Sequence, residues 1–478
     1  MCGIFGIHGH PRAVEITQLG IYPVRHRGKG SIGQATRNNE ERLINIAKSM
    51  DYSSKVFEQG KYKKQNGKTS IAHVRWPTAG PKSTLNAQPH YTKALQGKVV
   101  VSCNGDITNM KELKDLVEKE NIRVYSDNDA EMMTAVIYIF LKRKMDVFYA
   151  ISEMKKVVRG AYSAVLMTEW DDALFAFRDD LGIRPMILGV FENRYVVASE
   201  TCQLKAVGAN YFREVHPGEI IRIDDNGLSS HSSPVMVIPE SPLQIHHQKT
   251  AFCSIEDVYF ARPDSIIYQS SGKEVSYSAI RFALGKKLAE EHPVDADMVI
   301  PVPRSGIPAA EGYAEALGLP CRHVIITEGV DIGRTFIETE MNTRAYLANL
   351  KYTVIADRVV GKRVVVVDDS KIRGLTIQVI VAKLYAAGAK EVHIRIPAPR
   401  YMFCCYYGVD TKRLYELIAS DKTLDEQRIA VGSPDSLQFL SIPFFKDVLI
   451  EFHPDGSCTA CFDGVYPIPI FNCGGSPC

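Results

Sequence analysis

The sequence predicts two units of different fold class, an α+β unit followed by an α/β unit with a doubly wound parallel sheet. In the first half, short alternating strands are bounded by turn residues and interrupted by two helical stretches. In the second half, nearly continuous β-branched runs alternate with helical segments. A Ser-, Pro-, His- and Gln-rich stretch at 229–249 separates the halves. These patterns predict a first domain at 2–235, a linker at 236–252, a second domain at 253–450 and a Cys-containing C-terminal segment at 451–478.

The elements of the first half follow from residue periodicity. Alternation between apolar and polar residues predicts four strands, in the segments "KTSIAHVRW", "KVVVSCNGDI", "YSAVLMTEW" and "RYVVASE". Helical spacing predicts a helix over 109–120, after "GDIT", and another over 129–143, which opens with acidic residues. Strands and helices in this mixture indicate an α+β fold.

The second half contains four apolar runs that resemble buried parallel strands, "DMVIPVP", "CRHVIIT", "RVVVVDD" and "EVHIRIP". Helices are expected between them, for example over 307–318 and 376–388. In a doubly wound sheet, ligands bind beyond the carboxyl ends of the strands. We therefore expect the site of this half where such a run ends in polar residues.

Composition excludes several classes of protein. A net charge of +2 gives no basic surface for nucleic acid. The longest strongly apolar run, "MMTAVIYIFL" at 132–141, is too short to span a bilayer. The N-terminus lacks a basic stretch followed by a long apolar run, so no secretory signal is expected. Eleven scattered cysteines favour catalytic, metal-binding or buried thiols over disulfides, and we expect a cytoplasmic protein without membrane or nucleic-acid partners.

Cys2 is a candidate nucleophile, because removal of the initiator Met would leave its thiol beside a free α-amine that can act as a base. Taken alone, a cysteine at position 2 is weak evidence, and an ordinary small residue at a start site is the more common explanation. Four further segments join charged or polar residues to Gly or Pro: "RHRGKGSIG" at 25–33, "AHVRWPTAG" at 72–80, "CNGDITN" at 103–109 and "RDDLGIRP" at 178–185. Together with the N-terminal "CGIFGI", they resemble the class II, N-terminal-nucleophile glutamine amidotransferases over about 2–235.

The resemblance implies an α+β N-terminal-nucleophile glutaminase sandwich and a set of catalytic roles. Cys2 would attack the glutamine carboxamide. The Asn104 side chain and the Gly105 backbone N–H would form the oxyanion hole, where negative charge develops in the transition state. Arg75 would hold the substrate α-carboxylate through a bidentate pair.

The remaining glutamine contacts leave alternatives open. The α-ammonium needs an acid, and "SDNDAEMM" offers Asp127 or Asp129; the Asp-x-Glu pattern before a helix favours Asp129. An acid at a helix start can also be purely structural. Arg27 and His26 would bind substrate or stabilise a turn. "HRGKGS" departs from the Gln-Glu that usually follows the glycine in this class.

The segment "VVVVDDSKIRGLT" at 364–376 has the pattern of a strand, a Gly-containing turn and a helix start, which can cradle a phosphate. Its paired acids could bind ribose hydroxyls or Mg²⁺. The segment resembles the signature of type I phosphoribosyltransferases. Other motifs follow in order, and the whole chain resembles the amidophosphoribosyltransferase family; they are "VYFARPDS", "PVPRSGIPAAEGYA", "GRTFI", "AGAKEVHIRIPAP" and "YGVDT".

That resemblance implies an enzyme that transfers glutamine-derived ammonia to phosphoribosyl pyrophosphate, the first step of de novo purine synthesis. It implies Mg²⁺ on Asp368 and Asp369, an internal ammonia channel, and a homo-oligomer, dimer or tetramer. The phosphoribosyl-binding residues would be Ser305, Asp368, Asp369, Ser370, Arg373, Gly374 and Thr376.

Departures from the family pattern cluster in the phosphate-binding loops. Glu328 and Asp331 stand in a loop that is usually cationic, Arg304 replaces an Asp, and Leu375 and Ile377 replace hydroxyl residues. Carboxylates near a pyrophosphate are repulsive. Two alternatives follow: a paralogue that amidates a different phosphorylated sugar or nucleotide, or a degenerate, non-catalytic regulatory subunit.

A second cofactor is implied by cysteines. Cys458 and Cys461 form a C-x-x-C pair, which has metal-binding spacing. In part of the family four cysteines hold a [4Fe–4S] cluster, and the matching positions here are Cys253, Cys405, Cys458 and Cys461. A Zn²⁺ ion on the same four thiolates is the main alternative, and buried inert thiols are the third.

Overall fold

The computed structural model describes residues 1–38, 40–51, 54–58, 60–76, 83–94, 96–232, 250–269, 272–327, 351–370 and 374–470. Its first unit holds two antiparallel sheets. The strands in chain order are β1 Gly3–Ile7, β2 Ser31–Asn38, β3 Leu43–Ser49, β4 Thr69–Arg75, β5 His90–Ala94, β6 Gly97–Ile107, β7 Gly160–Thr168, β8 Leu174–Arg178, β9 Ile187–Phe191, β10 Arg194–Ala198, β11 Asn210–Glu214, β12 Glu219–Asp224 and β13 Gly227–Ser232.

One sheet has the order β11-β9-β10-β1-β4-β2-β3, and the other has β13-β12-β8-β7-β6-β5. Their facing sides share one apolar core, to which Ile4, Ile71, Val100, Val165 and Leu174 contribute. Alternate residues of each strand point into this core, as the period-2 pattern of the sequence requires.

Helices cover the outer faces of both sheets. They are α1 Ala13–Ile21, α2 Met110–Lys119, α3 Asp129–Arg143, α4 Val147–Val157 and α5 Thr201–Val207. One apolar core joins α1 and α5 to the first sheet, and a second joins α2, α3 and α4 to the other. The first unit is therefore a four-layer αββα sandwich, which confirms the predicted α+β class. The predicted helices over 109–120 and 129–143 correspond to α2 and α3.

The second unit contains a parallel sheet of four strands, β17 Met298–Pro301, β20 Arg363–Val367, β21 Glu391–Ile396 and β22 Ser436–Phe439. They lie in the order β17-β20-β21-β22. The helices of this unit are α6 Tyr277–Glu291, α7 Ile307–Leu317, α8 Leu375–Ala386, α9 Leu424–Ala430, α10 Ile442–Phe452 and α11 Ala460–Asp463. Cys321 bridges Val299 of β17 on the side away from β20. The chain therefore leaves β17 in one direction and returns to β20 in the other, and right-handed crossovers then put helices on both faces.

This reversal confirms the doubly wound architecture and creates a switch point between β17 and β20, where such folds bind ligands. The prediction for "CRHVIIT" was wrong in one respect. Its strand, β18 Ile325–Thr327, pairs antiparallel with β19 Tyr352–Val354 in a separate two-stranded sheet. A short apolar run does not specify its partner, so periodicity alone could not place it.

Three short strands complete the second unit: β14 Phe252–Cys253, and the pair β15 Ile266–Tyr268 with β16 Glu274–Ser276. β14 pairs in parallel with β23 Ser457–Cys458. The linker was predicted to run to residue 252, but Phe252 already lies in β14. Residues 236–249 of the predicted linker lie outside the described residues. The predicted C-terminal segment packs on the second unit through the same pairing. Within the described ranges, no helix has the length and apolarity to span a membrane.

Candidate active site

Cys2 lies just before β1, where three elements of the first unit meet. Its backbone N–H donates to Asn104 Oδ1 at 3.0 Å, and the Trp76 N–H donates to its Sγ at 3.4 Å. β1 pairs with β4 from Gly3 opposite Val74, so Cys2 is held beside Arg75 at the end of β4. The thiol is 6% exposed. Sheet pairing alone therefore brings the N-terminal cysteine to Asn104 and Arg75, which are distant in the sequence.

Asn104 carries the donor that an oxyanion hole needs. Its side chain is fully buried, and Nδ2 has no hydrogen-bond partner among the described residues, while Oδ1 is used by Cys2. Gly105 follows in β6, and a Cβ there would lie 1.9 Å from the carbonyl oxygen of Ala161. Only glycine therefore allows β6 to pair with β7 at this point. A buried, unpartnered N–H is costly unless a ligand uses it, and a developing oxyanion is such a ligand.

Arg75 is buried at the end of β4, under the loop that carries Gly28 and Gly30. The Gly30 N–H donates to the Arg75 carbonyl at 2.9 Å. A Cβ on Gly28 would come within 2.5 Å of the Arg75 backbone. Burial lowers the pKa of the Arg75 guanidinium, and the nearby Cys2 and Asp129 oppose that effect. A substrate carboxylate would supply the negative charge that this buried cation favours.

Asp129 is the acid that the fold places near this arginine. It is the first residue of α3, it is 7% exposed, and its Oδ1 accepts the Ile107 N–H at 3.0 Å. Burial, followed by the charge of Asp106, raises the pKa of Asp129 to about 7. Asp127, by contrast, has an exposed side chain that pairs with Lys114 at 3.1 Å. Of the two acids that the sequence offered, Asp129 is the one that is buried and interacts with Arg75.

Arg27 is fully buried, and its donors are used within the protein. Nε donates to the carbonyl of Cys2 at 2.8 Å, and Nη1 donates to Glu200 at 2.6 Å and to Glu256 at 2.8 Å. His26 also contacts Glu200, at 3.0 Å. Although burial opposes it, the neighbouring His26 and Arg27 side chains hold the pKa of Glu200 well below its usual value. The sequence left a glutamine contact and a turn-stabilising role open for Arg27, and these contacts hold its side chain against the Cys2 main chain.

Sequence reasoning missed Glu200 and Glu256. They stand 173 and 229 residues from Arg27, and Glu256 belongs to the second unit. A buried arginine needs buried carboxylates, but no local pattern says which acids of a 478-residue chain supply them.

The switch point of the second unit brings two loops side by side. The Val302 N–H donates to the carbonyl of Val367 at 2.9 Å. A Cβ on Gly306 would lie 2.8 Å from the carbonyl oxygens of both residues, so the loops after β17 and β20 meet at close range. Ser305 is half-buried in the first of these loops, and Arg304 is exposed beside it.

Asp368 and Asp369 follow β20 in the second loop and are 7% and 6% exposed. The Ser370 hydroxyl donates to Asp369 Oδ1 at 2.6 Å. Burial and the charge of Asp369 raise the pKa of Asp368 well above its usual value, and Lys351 opposes this. Two adjacent buried carboxylates are stabilised by a divalent cation or by hydroxyl donors such as a ribose diol.

The first turn of the helix after these acids explains why Ile377 can replace the hydroxyl residue of the family pattern. Gly374 precedes α8 with a φ of +80°, which favours glycine, and Leu375 and Thr376 of the first turn are partly exposed. Ile377 is 1% exposed and packs in the core of the second unit, so it does not face the loop. Glu328, Asp331 and Arg373 lie outside the described residues.

The glutamine amidotransferase domain family matches residues 75–206. An amidophosphoribosyltransferase of Bacillus subtilis is 36% identical over 98% of this chain and 95% of its own length, and one of Methanocaldococcus jannaschii is 36% identical over 98% of both. The chain belongs to the amidophosphoribosyltransferase family.

Solved structures agree with this amidophosphoribosyltransferase assignment. A glutamine phosphoribosylpyrophosphate amidotransferase from B. subtilis, complexed with ADP and GMP, has a TM-score of 0.85 and 35% identity and covers 99% of this chain and 98% of its own. A structure described as the allosteric regulatory enzyme of purine biosynthesis has a TM-score of 0.86 and 37% identity, covering 99% of this chain and 97% of its own. The predicted pairing of a glutaminase sandwich with a phosphoribosyltransferase domain is confirmed.

Four cysteines of this amidophosphoribosyltransferase family member converge between β14, β23 and the segment around 405. Cys253 and Cys458 are partners across the β14–β23 pair, and all four thiols are at most 9% exposed. Burial raises the pKa of Cys458 and Cys461 well above the usual value, and electrostatic interaction with Cys253 and Cys405 adds to this increase. No three His, Cys, Asp or Glu side chains in the described part of the chain are placed to hold one metal ion.

Proposed function

We propose that this enzyme releases ammonia from glutamine at Cys2 and transfers it to C1 of phosphoribosyl pyrophosphate. The products are 5-phosphoribosylamine, glutamate and pyrophosphate. The observation that carries the glutaminase half is the buried, unpartnered Nδ2 of Asn104 beside the Cys2 backbone. The acceptor half is supported by full-length similarity and by the Asp368–Asp369 pair at the switch point.

The first half-reaction requires a free α-amine on Cys2. Met1 is 1% exposed, and burial lowers the pKa of its amino group to about 4. With Met1 removed, the amine of Cys2 takes the thiol proton while Sγ forms a bond to the carboxamide carbon. Asn104 Nδ2 and the Gly105 N–H stabilise the oxyanion, and the protonated amine returns its proton to the departing ammonia. Water then cleaves the thioester to glutamate.

Substrate orientation falls to Arg75 and Asp129. The guanidinium would hold the α-carboxylate, and the carboxylate of Asp129 would hold the α-ammonium. Arg27 then acts as a positioning residue, because its Nε donates a hydrogen bond to the Cys2 carbonyl.

Transfer of ammonia requires an enclosed route, since ammonia that reaches bulk water is protonated and lost. Cys2 and Trp76 belong to the same apolar cluster as the core of the second unit. Trp76 packs edge-on against Phe260, with 5.6 Å between the ring centroids, and the centroids of the Phe260 and Tyr259 rings are 5.1 Å apart. This apolar contact between the units supports a water-poor path from one site to the other.

At the acceptor site, the proposed phosphoribosyl contacts are the loop and helix-start residues predicted from the sequence, namely Ser305, Asp368, Asp369, Ser370, Arg373, Gly374 and Thr376. Burial and the neighbouring Asp369 raise the pKa of Asp368, which supports a role for a cation or hydroxyl donors at this site. Mg²⁺ bound there would neutralise charge on the leaving pyrophosphate. The protein's own part is to orient the ribose, with the diol on Asp368 and Asp369.

One assay tests this function. Purified enzyme is incubated with glutamine and each of several acceptors: phosphoribosyl pyrophosphate, other sugar phosphates and nucleotides. We expect glutamate and pyrophosphate in equal amounts with phosphoribosyl pyrophosphate and none with Cys2→Ala. Amidation of a different acceptor would instead establish the paralogue, an alternative that the partly exposed Leu375 at the helix start favours. Absence of glutaminase activity in the wild type would leave the regulatory subunit.

We also propose that Cys253, Cys405, Cys458 and Cys461 bind a [4Fe–4S] cluster. Their convergence and burial fit four thiolate ligands. A single Zn²⁺ ion would need all four sulfurs within about 2.3 Å of one point, whereas a [4Fe–4S] cluster distributes the four thiolates over its irons. Iron, sulfide and zinc analysis after anaerobic purification decides between the two. All nine cysteines described by the structure are free, which supports a reducing, cytoplasmic environment.

A further inference from the structure

An ion pair between a partly exposed lysine and a buried aspartate joins the second unit to the glutamine site of the first. Lys412 Nζ lies 2.6 Å from Asp106 Oδ2, and the Asp106 side chain is 3% exposed. Lys412 follows the turn at Gly408 in the second unit, whereas Asp106 lies in β6. The pair therefore crosses between the units, and none of the roles assigned above uses it.

Asp106 shares its strand and its strand face with the oxyanion donor. Residues two apart in a strand point to the same side, so Asp106 stands one repeat beyond Asn104. The next residue, Ile107, donates its N–H to Asp129 at 3.0 Å. Lys412 thus enters the first unit next to the acid proposed to bind the α-ammonium of glutamine.

The electrostatics of this corner require a cation. Asp106 and Asp129 are both buried, and burial raises the pKa of each; Asp106 raises the pKa of Asp129 further, while Lys412 lowers it. Arg75 and Cys103 also interact with Asp129, while Arg184 and the N-terminal amine add positive charge near Asp106. Two buried carboxylates close together cannot both stay ionised without a compensating charge. An uncharged Asp129 would lose its attraction for an ammonium.

We propose that Lys412 is a positioning residue of the glutamine site, supplied by the second unit, which neutralises Asp106 so that Asp129 binds the substrate ammonium as an anion. The inference rests on the proposed glutaminase function and adds a residue to it. Glutamine recognition then depends on how the second unit is docked.

The loop that carries Lys412 is anchored in the second unit. Thr411 is 3% exposed, its hydroxyl lies 2.7 Å from the Tyr401 hydroxyl, and its carbonyl accepts the Cys405 N–H at 3.3 Å. A change in this part of the second unit would therefore move Lys412 relative to Asp106.

The test measures glutamine binding by calorimetry between pH 5 and 9, in the full-length Cys2→Ala protein that does not consume the ligand. We expect Lys412→Met to raise the midpoint of the acid limb by about one pH unit, because Asp129 loses a stabilising cation. Below that midpoint, one pKa unit weakens binding about tenfold. Asp106→Asn should move the midpoint the opposite way, because Asp129 loses a repulsive neighbour. The double variant should return toward wild type, and Lys412→Arg should keep the wild-type profile.

Arg413→Met is the matched control, because it removes an equal charge from the neighbouring residue, which is exposed and pairs with Glu416. Equal losses of affinity in Lys412→Met and Asp106→Asn, with unshifted midpoints, would reduce the pair to a structural bridge and overturn the inference. If Lys412→Met does not fold, the comparison of Asp106→Asn with wild type still tests the inference, because the midpoint of the acid limb must fall in that variant. A wild-type enzyme that hydrolyses glutamine but shows no shifts contradicts this inference alone; one that does not hydrolyse glutamine contradicts the proposed function.

Discussion

The role of Cys2 depends on contacts with residues that are distant in the sequence. Taken alone, Cys2 is better explained as an ordinary small residue at a start site. Its contacts with Asn104, Trp76 and Arg27 give it a fixed backbone, a neighbouring donor and a buried cation. The roles of Asn104 and Arg75 were implied by the resemblance of their motifs to the class II glutamine amidotransferases. Nothing local to Arg27 could reveal Glu256, so its positioning role emerges only in three dimensions.

At this scale, Asn104→Asp provides a sharp prediction. The aspartate keeps an Oδ that accepts the Cys2 N–H but replaces the unpartnered donor with an acceptor. We expect glutaminase kcat to fall by about 10²–10³-fold with a much smaller change in KM, because the lost hydrogen bond acts in the transition state. Steady-state kinetics with glutamine alone measure this effect.

The matched control is Ser102→Ala, which removes another buried hydrogen-bonding atom without a partner in the described part of the chain, on the same face of β6. It should leave kcat within about twofold of wild type, because its hydroxyl is remote from the forming oxyanion by one more strand repeat. An Asn104→Asp enzyme with wild-type kcat, or an equal loss in Ser102→Ala, would contradict the oxyanion role.

Secondary-structure elements were largely predictable because each carries a clear period. The alternation of β6 and β7 and the spacing of α3 identify sandwich elements, and the β-branched runs of β17, β20 and β21 identify a buried parallel sheet. β22 was not predicted, since "SLQF" is short and only half apolar. β18 was predicted as a strand but not its partner, because pairing depends on where the chain returns from a distant segment.

The first turn of α8 separates a departure that affects binding from one that affects packing. Leu375 is partly exposed beside Gly374, whereas Ile377 is 1% exposed in the core. We expect Leu375→Thr to lower the KM for phosphoribosyl pyrophosphate, since it restores a hydroxyl donor at the phosphate cradle. Ile377→Thr should leave that KM unchanged and lower the free energy of unfolding by about 1–3 kcal/mol, because it buries a hydroxyl and loses apolar volume.

Pyrophosphate release at varied acceptor concentration, together with chemical unfolding, distinguishes the two variants. The pair acts as its own control, since each changes one residue of the same helix turn to threonine. A fall in KM for Ile377→Thr, or none for Leu375→Thr, would place the phosphate contacts elsewhere in the loop.

Polar contacts link the two units beside the apolar cluster that they share. Glu256 of the second unit pairs with Arg27, and Lys412 pairs with Asp106. His453 of the second unit contacts Asp257 at 2.9 Å, stacks on Phe252 at 4.6 Å and lies in a cavity that Arg178 and Glu214 of the first unit also line. Burial opposes protonation of His453, but Asp257 dominates and raises its pKa.

This histidine predicts how stability of the docked units depends on pH. A group whose pKa is higher in the folded than in the unfolded chain stabilises the fold below its unfolded value, about 6.5 for histidine, and loses that contribution as pH rises through the folded value. We therefore expect the free energy of unfolding to decline above about pH 6.5, and His453→Gln to flatten this decline. Chemical unfolding at several pH values between 6 and 9 measures it, and His231→Gln, which changes an exposed histidine, is the control. An unchanged slope in His453→Gln, or an equal change in the control, would show that the pH dependence arises away from the junction.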